Sequence, residues 1–186
     1  MSTPDAGAAP AAPGPAAPKP FFAREPAELA ELCAELGGRP FHAKSARREA
    51  LERGVLDFAQ MTARPTALRD ALAERAPLLV AREFERIACS DGTTKLLLAF
   101  PRDEGRDALV ETVHIPSRRG AGATLCVSTQ VGCPVGCPFC ASGRAGLVRN
   151  LEAHEILEQY LRGRALGPLS RSVVMGIGEP LLNYPN

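Results

Sequence analysis

Hydrophobic positions along this chain change their period twice. From residue 26 the spacing is helical: Leu29, Leu32 and Leu36 recur at intervals of three and four, and Gly37 and Gly38 supply a left-handed stop. The same period predicts a second helix over 41–53, ended by Gly54. A third is predicted over 66–76, with Leu68 and Leu72 on one face between Pro65 and Pro77. Strand-like runs follow. Those at 82–89 and 95–100 flank an Asp91-Gly92 pair, a strong hairpin signal, and 109–115 reads as a further strand ending at Pro116. Beyond it the pattern alternates as in a parallel α/β unit: a strand at 124–128, a helix at 152–162 with Asn150 available as its cap, and a strand at 172–175.

Residues 1–20 are almost entirely Ala, Pro and Gly and cannot bury enough apolar surface to offset the entropy of ordering. A disordered tail is therefore expected over 1–25, followed by a helical accessory unit at 26–80, an antiparallel bridge at 81–118 and an α/β core at 119–186. At 186 residues and 45% hydrophobic content the chain falls in the globular class. No apolar run approaches the ~18 to 20 residues that cross a bilayer, and no signal-peptide pattern opens the chain. A soluble cytoplasmic protein without membrane contact is the expectation.

The net charge is only +1, so a polyanion would have to be met by a local patch. Arg39, His42, Lys44, Arg47, Arg48 and Arg53 are concentrated in one segment, and Arg118 and Arg119 form a second group. Such segments read either as solvated faces or as surfaces for phosphate and base stacking.

Of six cysteines, Cys33 and Cys89 sit in apolar patterns and read as small buried hydrophobes, while four cluster at 126–140 in the layout of a metal site in a reducing compartment. Cys133, Cys137 and Cys140 form a CxxxCxxC run, with Pro134, Gly136 and Pro138 favouring a tight loop. Three thiolates leave one iron of a four-iron cluster open to a ligand, whereas structural zinc and electron-transfer clusters close with four. A zinc knuckle with Cys126 as fourth ligand is the alternative. Downstream, Gly176-Ile-Gly178-Glu179-Pro180 lies at the carboxyl end of a strand, where parallel α/β folds place ligands; by itself it also reads as a plain turn. Cys126 is either a buried strand cysteine or a working thiol. Glu111, a carboxylate in an apolar strand, either faces solvent or serves chemistry. His114 and His154 lack ligand spacing and read as surface or helix histidines.

These motifs, with the segments 123–133, Arg149-Asn150-Leu151, 155–159 and 175–183, resemble the RlmN/Cfr family of radical S-adenosylmethionine (SAM) enzymes, over about residue 41 to the end. The resemblance implies a partial (β/α) barrel and methylation of adenine in 23S rRNA and tRNA. It implies that Cys133, Cys137 and Cys140 hold a 4Fe-4S cluster whose free iron chelates SAM, that Phe139 packs beside the cluster and the SAM adenine, and that Gly178 and Glu179 grip the methionine part. Cys126 matches the cysteine that helps break down an enzyme–RNA adduct, and Glu111 matches the proton acceptor. The family's methyl-cysteine intermediate forms on a second cysteine near the carboxyl terminus, for which these residues offer no candidate.

Two parallel strands with one helix leave a sheet face and edges unsatisfied, so the chain reads as an inactive front part of a longer monomeric enzyme, its barrel truncated after the second strand. A flavodoxin-type external electron donor is implied. The wording at 130–132 favours modification of adenine carbon 2, while 141–146 leans towards the carbon 8 branch. A non-catalytic RNA-binding module with a vestigial cluster loop is the reading from another class.

Overall fold

The computed structural model describes residues 17–101, 107–118 and 120–186. Most of the expected tail, and Arg119, lie outside these residues. Within the stretch assigned to the tail, however, Phe21–Ala23 form a 3-10 turn, because Phe21 is fully buried against Phe58, their ring centroids 5.6 Å apart. Two adjacent phenylalanines carry enough apolar surface to order a segment that its Ala/Pro neighbours cannot.

Helix α1, Pro26–Glu35, starts with proline at its first position, and the Glu28 carboxylate accepts the Glu25 N–H at 2.9 Å. Helix α2, Pro40–Arg53, ends on Gly54 at φ 67°. Its buried face is small, formed by Ala43, Ala46 and Ala50, which lets α1 pack closely. Helix α3, Thr66–Arg75, adds Leu68 and Leu72 to a core that also takes in Leu29, Leu32, Met61 and, from further along the chain, Leu161. Buried Arg64 donates to Glu49 at 3.2 Å and to Ser45 at 2.9 Å, fastening the segment before α3 to α2. On α2, His42 is used as a cap acceptor and Arg47 lies over the Phe22 ring, so the exposed members of the basic segment are Arg39, Lys44, Arg48 and Arg53, beside exposed Phe41.

Strands β1 (Arg82–Ala88), β2 (Thr94–Phe100), β3 (Ala108–Pro116) and β4 (Ala123–Cys126) are successive antiparallel neighbours. The Asp91-Gly92 turn forms as expected, with Gly92 at φ 83°. Two short strands come next, β5 (Gln130–Gly132) and β6 (Leu147–Asn150), pairing only with each other. Helix α4, Ala153–Leu166, then leads to β7, Leu169–Val173, which runs parallel to β4. The fold is α/β: one five-stranded sheet in the order β1-β2-β3-β4-β7, continuous from the hairpin strands into the parallel pair.

Four expectations are corrected. Asn150 does not cap α4: it remains paired in β6, and Glu152 is the cap residue, its N–H bonded to Glu155. The last strand begins and ends earlier than 172–175, because Val174 and Met175 leave the sheet and are exposed despite their apolar character. Cys89 is exposed at the β1–β2 turn. His114 is buried on β3 and faces α4 with Leu125 opposite it, so it is neither a surface nor a helix histidine.

Helix α4 covers one sheet face so closely that a Cβ on Gly163 would meet Leu125 Cδ1 at 2.4 Å. Its Glu158 carboxylate, buried, accepts the Val80 N–H at 2.7 Å and the Ala81 N–H at 3.1 Å and pairs with Arg162. Burial pushes its pKa up against the pull of those donors.

Candidate cofactor and catalytic site

The cysteine run is the connection of the β5–β6 hairpin. Short strands at its base, with Cys133 N–H bonded to Gly146 O at 3.1 Å, bring the two ends of the loop together. Inside it, Gly136 takes φ 64° and Cys140 N–H returns to Cys137 O at 3.0 Å, so the chain turns tightly between the thiols. All three cysteines are free and part-exposed. Hydrogen bonds from the Ser142 N–H and hydroxyl, and then from the Gly143 N–H, hold the Cys140 thiol below the usual range and favour its thiolate. Phe139 stands out from the loop at 89% exposure.

Among the described residues, no three His, Cys, Asp or Glu side chains gather as they would around a single metal ion, the loop cysteines included. A four-iron cluster takes each thiolate on a separate iron. The donor set fits it: three unpaired thiols on one tight loop, one already biased towards thiolate.

Cys126 and Glu111 share the sheet face opposite α4. Cys126 is in register with Val113, which places Glu111 diagonally across from it on the same side of the pleat. Glu111 pairs with Lys95 at 3.1 Å, both side chains 42% exposed. Between this face and the cysteine loop runs the segment 127–130, against which 176–179 is laid strand-like. Val127 O accepts the Gly176 N–H at 3.0 Å, and Ile177 O accepts the Thr129 N–H at 2.9 Å. The approach requires glycine, since a Cβ on Gly176 would stand 2.5 Å from Ser128 Oγ and one on Gly178, at φ 112°, 2.8 Å from Gln130 Cβ. Glu179 begins a 3-10 turn, Pro180–Asn183, and caps it by accepting the Leu181 N–H.

A set of buried polar side chains holds this arrangement, and the sequence reading did not single them out. Ser128 Oγ donates to Glu111 O at 2.7 Å and accepts the Ile177 N–H at 2.9 Å. Gln159 on α4 bonds both main-chain groups of Ser128. Asn183 Nδ2 donates to Thr129 O and Leu151 O, each at 2.8 Å. Their signal was polarity at positions where a helix face or strand should be apolar, legible only once burial is known.

Residues 127–186 match the Radical SAM superfamily. A dual-specificity RNA methyltransferase RlmN from Rhodospirillum rubrum is 44% identical over 171 residues, covering 86% of this chain and 38% of the relative. Another from Anaeromyxobacter dehalogenans is 42% identical over 166 residues, covering 84% and 43%. The crystal structure of a radical SAM methyltransferase from Sphaerobacter thermophilus superposes with a TM-score of 0.78 at 35% identity, covering 90% of this chain and 49% of that one.

The chain belongs to the RlmN/Cfr family of radical SAM proteins. It spans about two fifths of the length of these curated relatives. Membership implies a 4Fe-4S cluster and SAM, and the cysteine loop is where this chain's residues suit the cluster. None of the described helices is long and apolar enough to cross a membrane.

Proposed function

We propose that this chain serves radical SAM methylation of RNA, at carbon 2 of adenine in 23S rRNA and tRNA. The observation that carries the reading is the convergence of three elements on one end of the sheet: the loop of three free cysteines, the Gly176–Glu179 segment laid against 127–130, and the open face bearing Glu111 and Cys126. The relatives' description as dual-specificity RNA methyltransferases supports the substrates.

In this reading Cys133, Cys137 and Cys140 hold the cluster, which supplies the electron for reductive cleavage of SAM. Phe139, free of packing in this chain, offers its ring to the SAM adenine. Gly176 and Gly178 bring backbone close to the methionine end, and Glu179 offers a carboxylate to its ammonium. Glu111 accepts a proton from the substrate adenine, its carboxylate standing 3.1 Å from the Lys95 ammonium. Cys126, on the same face, assists release of the modified RNA. Exposed Arg39, Lys44, Arg48 and Arg53 on and beside α2 meet phosphates, and Phe41 offers a stacking surface. A flavodoxin-type donor, a reducing cytoplasmic setting and a monomeric state complete the reading.

The test is anaerobic reconstitution followed by iron and sulfide analysis and electron paramagnetic resonance with and without SAM. Bound iron and sulfide, with a spectrum that changes when SAM is added, support the reading. A colourless protein carrying zinc sinks it.

A further inference from the structure

Gln130 connects the two cofactor-binding elements of the proposed site. It is the first residue of β5 and the register partner of Asn150 on β6, so it stands at the base of the hairpin that carries the cysteine loop. It is also fully buried, which for an amide demands partners at both ends. They are found in opposite directions. Nε2 donates to Asn150 Oδ1 at 2.8 Å, within the hairpin, and Oε1 accepts the Glu179 N–H at 2.9 Å, across to the other element. The Gln130 N–H reaches Ile177 O at 3.2 Å, and the aliphatic stem fills the space that a side chain on Gly178 would need.

We propose that Gln130 is the positioning residue that sets segment 176–179 relative to the cysteine loop, and thereby sets the affinity for SAM without touching it. The inference rests on the proposed function. A ligand held at one end by an open iron and at the other by Glu179 binds well only if those two anchors are already at the right separation, because ordering them during binding costs affinity. Gln130 links the anchors through side-chain bonds at both ends. A neutral amide suits this task, since it supplies a donor and an acceptor at once and buries no charge.

The experiment compares the reconstituted wild-type chain with Gln130→Met, which keeps the stem and loses both side-chain bonds, and Gln130→Glu. In the latter the carboxylate still accepts the Glu179 N–H while the Asn150 amide turns to donate to its other oxygen. Iron content, thermal midpoint, SAM dissociation constant and amide exchange at Glu179 are read for each. With iron content kept, Gln130→Met is expected to weaken SAM about tenfold and to speed exchange at Glu179 by a similar factor, the scale of the one hydrogen bond lost at the Glu179 N–H. Gln130→Glu, which keeps the acceptor for the Glu179 N–H, is expected to recover part of both, the charge it buries costing the remainder, a pattern that a purely structural role would not produce. Unchanged SAM affinity in Gln130→Met overturns the inference and leaves the proposed function standing. So does a loss of iron in both variants, which would make Gln130 a folding residue. A wild-type chain that takes up cluster but shows no response to SAM overturns both readings together.

Discussion

Gln159 holds both main-chain groups of Ser128: its Oε1 accepts the Ser128 N–H at 2.8 Å and its Nε2 donates to Ser128 O at 2.9 Å. Both residues are fully buried. The pairing reproduces what a neighbouring strand would give, at a point where β4 has ended and no strand flanks residue 128 on the α4 side. Replacing Gln159 with Leu leaves a buried donor and acceptor unmet at about 1–3 kcal/mol each. A loss of roughly 2–4 kcal/mol is expected, measured by urea unfolding, with the midpoint lowered and the slope unchanged.

Gly163 gives a second stability prediction of the opposite sign from helix propensity. Alanine in mid-helix ordinarily gains up to about 1 kcal/mol over glycine. Here the added Cβ would lie 2.4, 2.8 and 3.1 Å from three atoms of Leu125, which is itself fully buried and has no room to retreat. Overpacking of this kind costs about 1–3 kcal/mol, so Gly163→Ala is expected to destabilise by roughly 1–2 kcal/mol in the same unfolding assay.

His114 makes stability depend on pH. Burial holds its imidazole below the ordinary value, and its Nε2 has no partner among the described residues. The unfolded chain takes up this proton near pH ~6.5 while the folded one resists. Because the folded pKa is depressed, the contribution is present above about pH 6.5 and is lost as pH falls through the lower folded value. Thermal midpoints are expected to drop between about pH 7 and 5 in the wild type, and less so in His114→Leu. Equal slopes for the two proteins would remove His114 as the cause.

Where local chemistry decides a structure, this sequence was readable. Gly54 and the proline brackets ended helices where expected, Asp91-Gly92 made its hairpin, and the cysteine spacing marked the loop that the structure closes. The misreadings share another origin. Strands β5 and β6 are three and four residues long and separated by a Gly/Pro-rich loop, too short for any period to register. Val174 and Met175 are apolar yet exposed, while Ser128, Gln130 and Gln159 are polar yet buried, so hydropathy reversed the true positions at the site itself. Polar residues are buried there because a segment passing close to another backbone, outside any regular sheet, needs side chains to satisfy its N–H and C=O groups.

The three loop cysteines and Cys126 make separable predictions about metal. If the loop thiols hold the cluster, Cys133→Ser, Cys137→Ser and Cys140→Ser each lose bound iron and the accompanying colour, while Cys126→Ser keeps both. Cys126 lies on β4, outside the hairpin that carries the other three. A Cys126→Ser protein that loses its metal along with the others would restore the four-thiolate zinc alternative.

Glu111 and Lys95 allow chemistry to be separated from folding. Their contact is 3.1 Å, but each side chain is 42% exposed, and ion pairs of that exposure contribute about 0–1 kcal/mol. The Glu111 carbonyl, not its carboxylate, carries the structural bond to Ser128, and that bond survives any side-chain change. Glu111→Gln is therefore expected to fold with a thermal midpoint within a few degrees of the wild type and to bind cluster and SAM unchanged. A midpoint lowered by more than about 10 °C would make Glu111 a structural residue and remove the reason for placing a proton acceptor on this face.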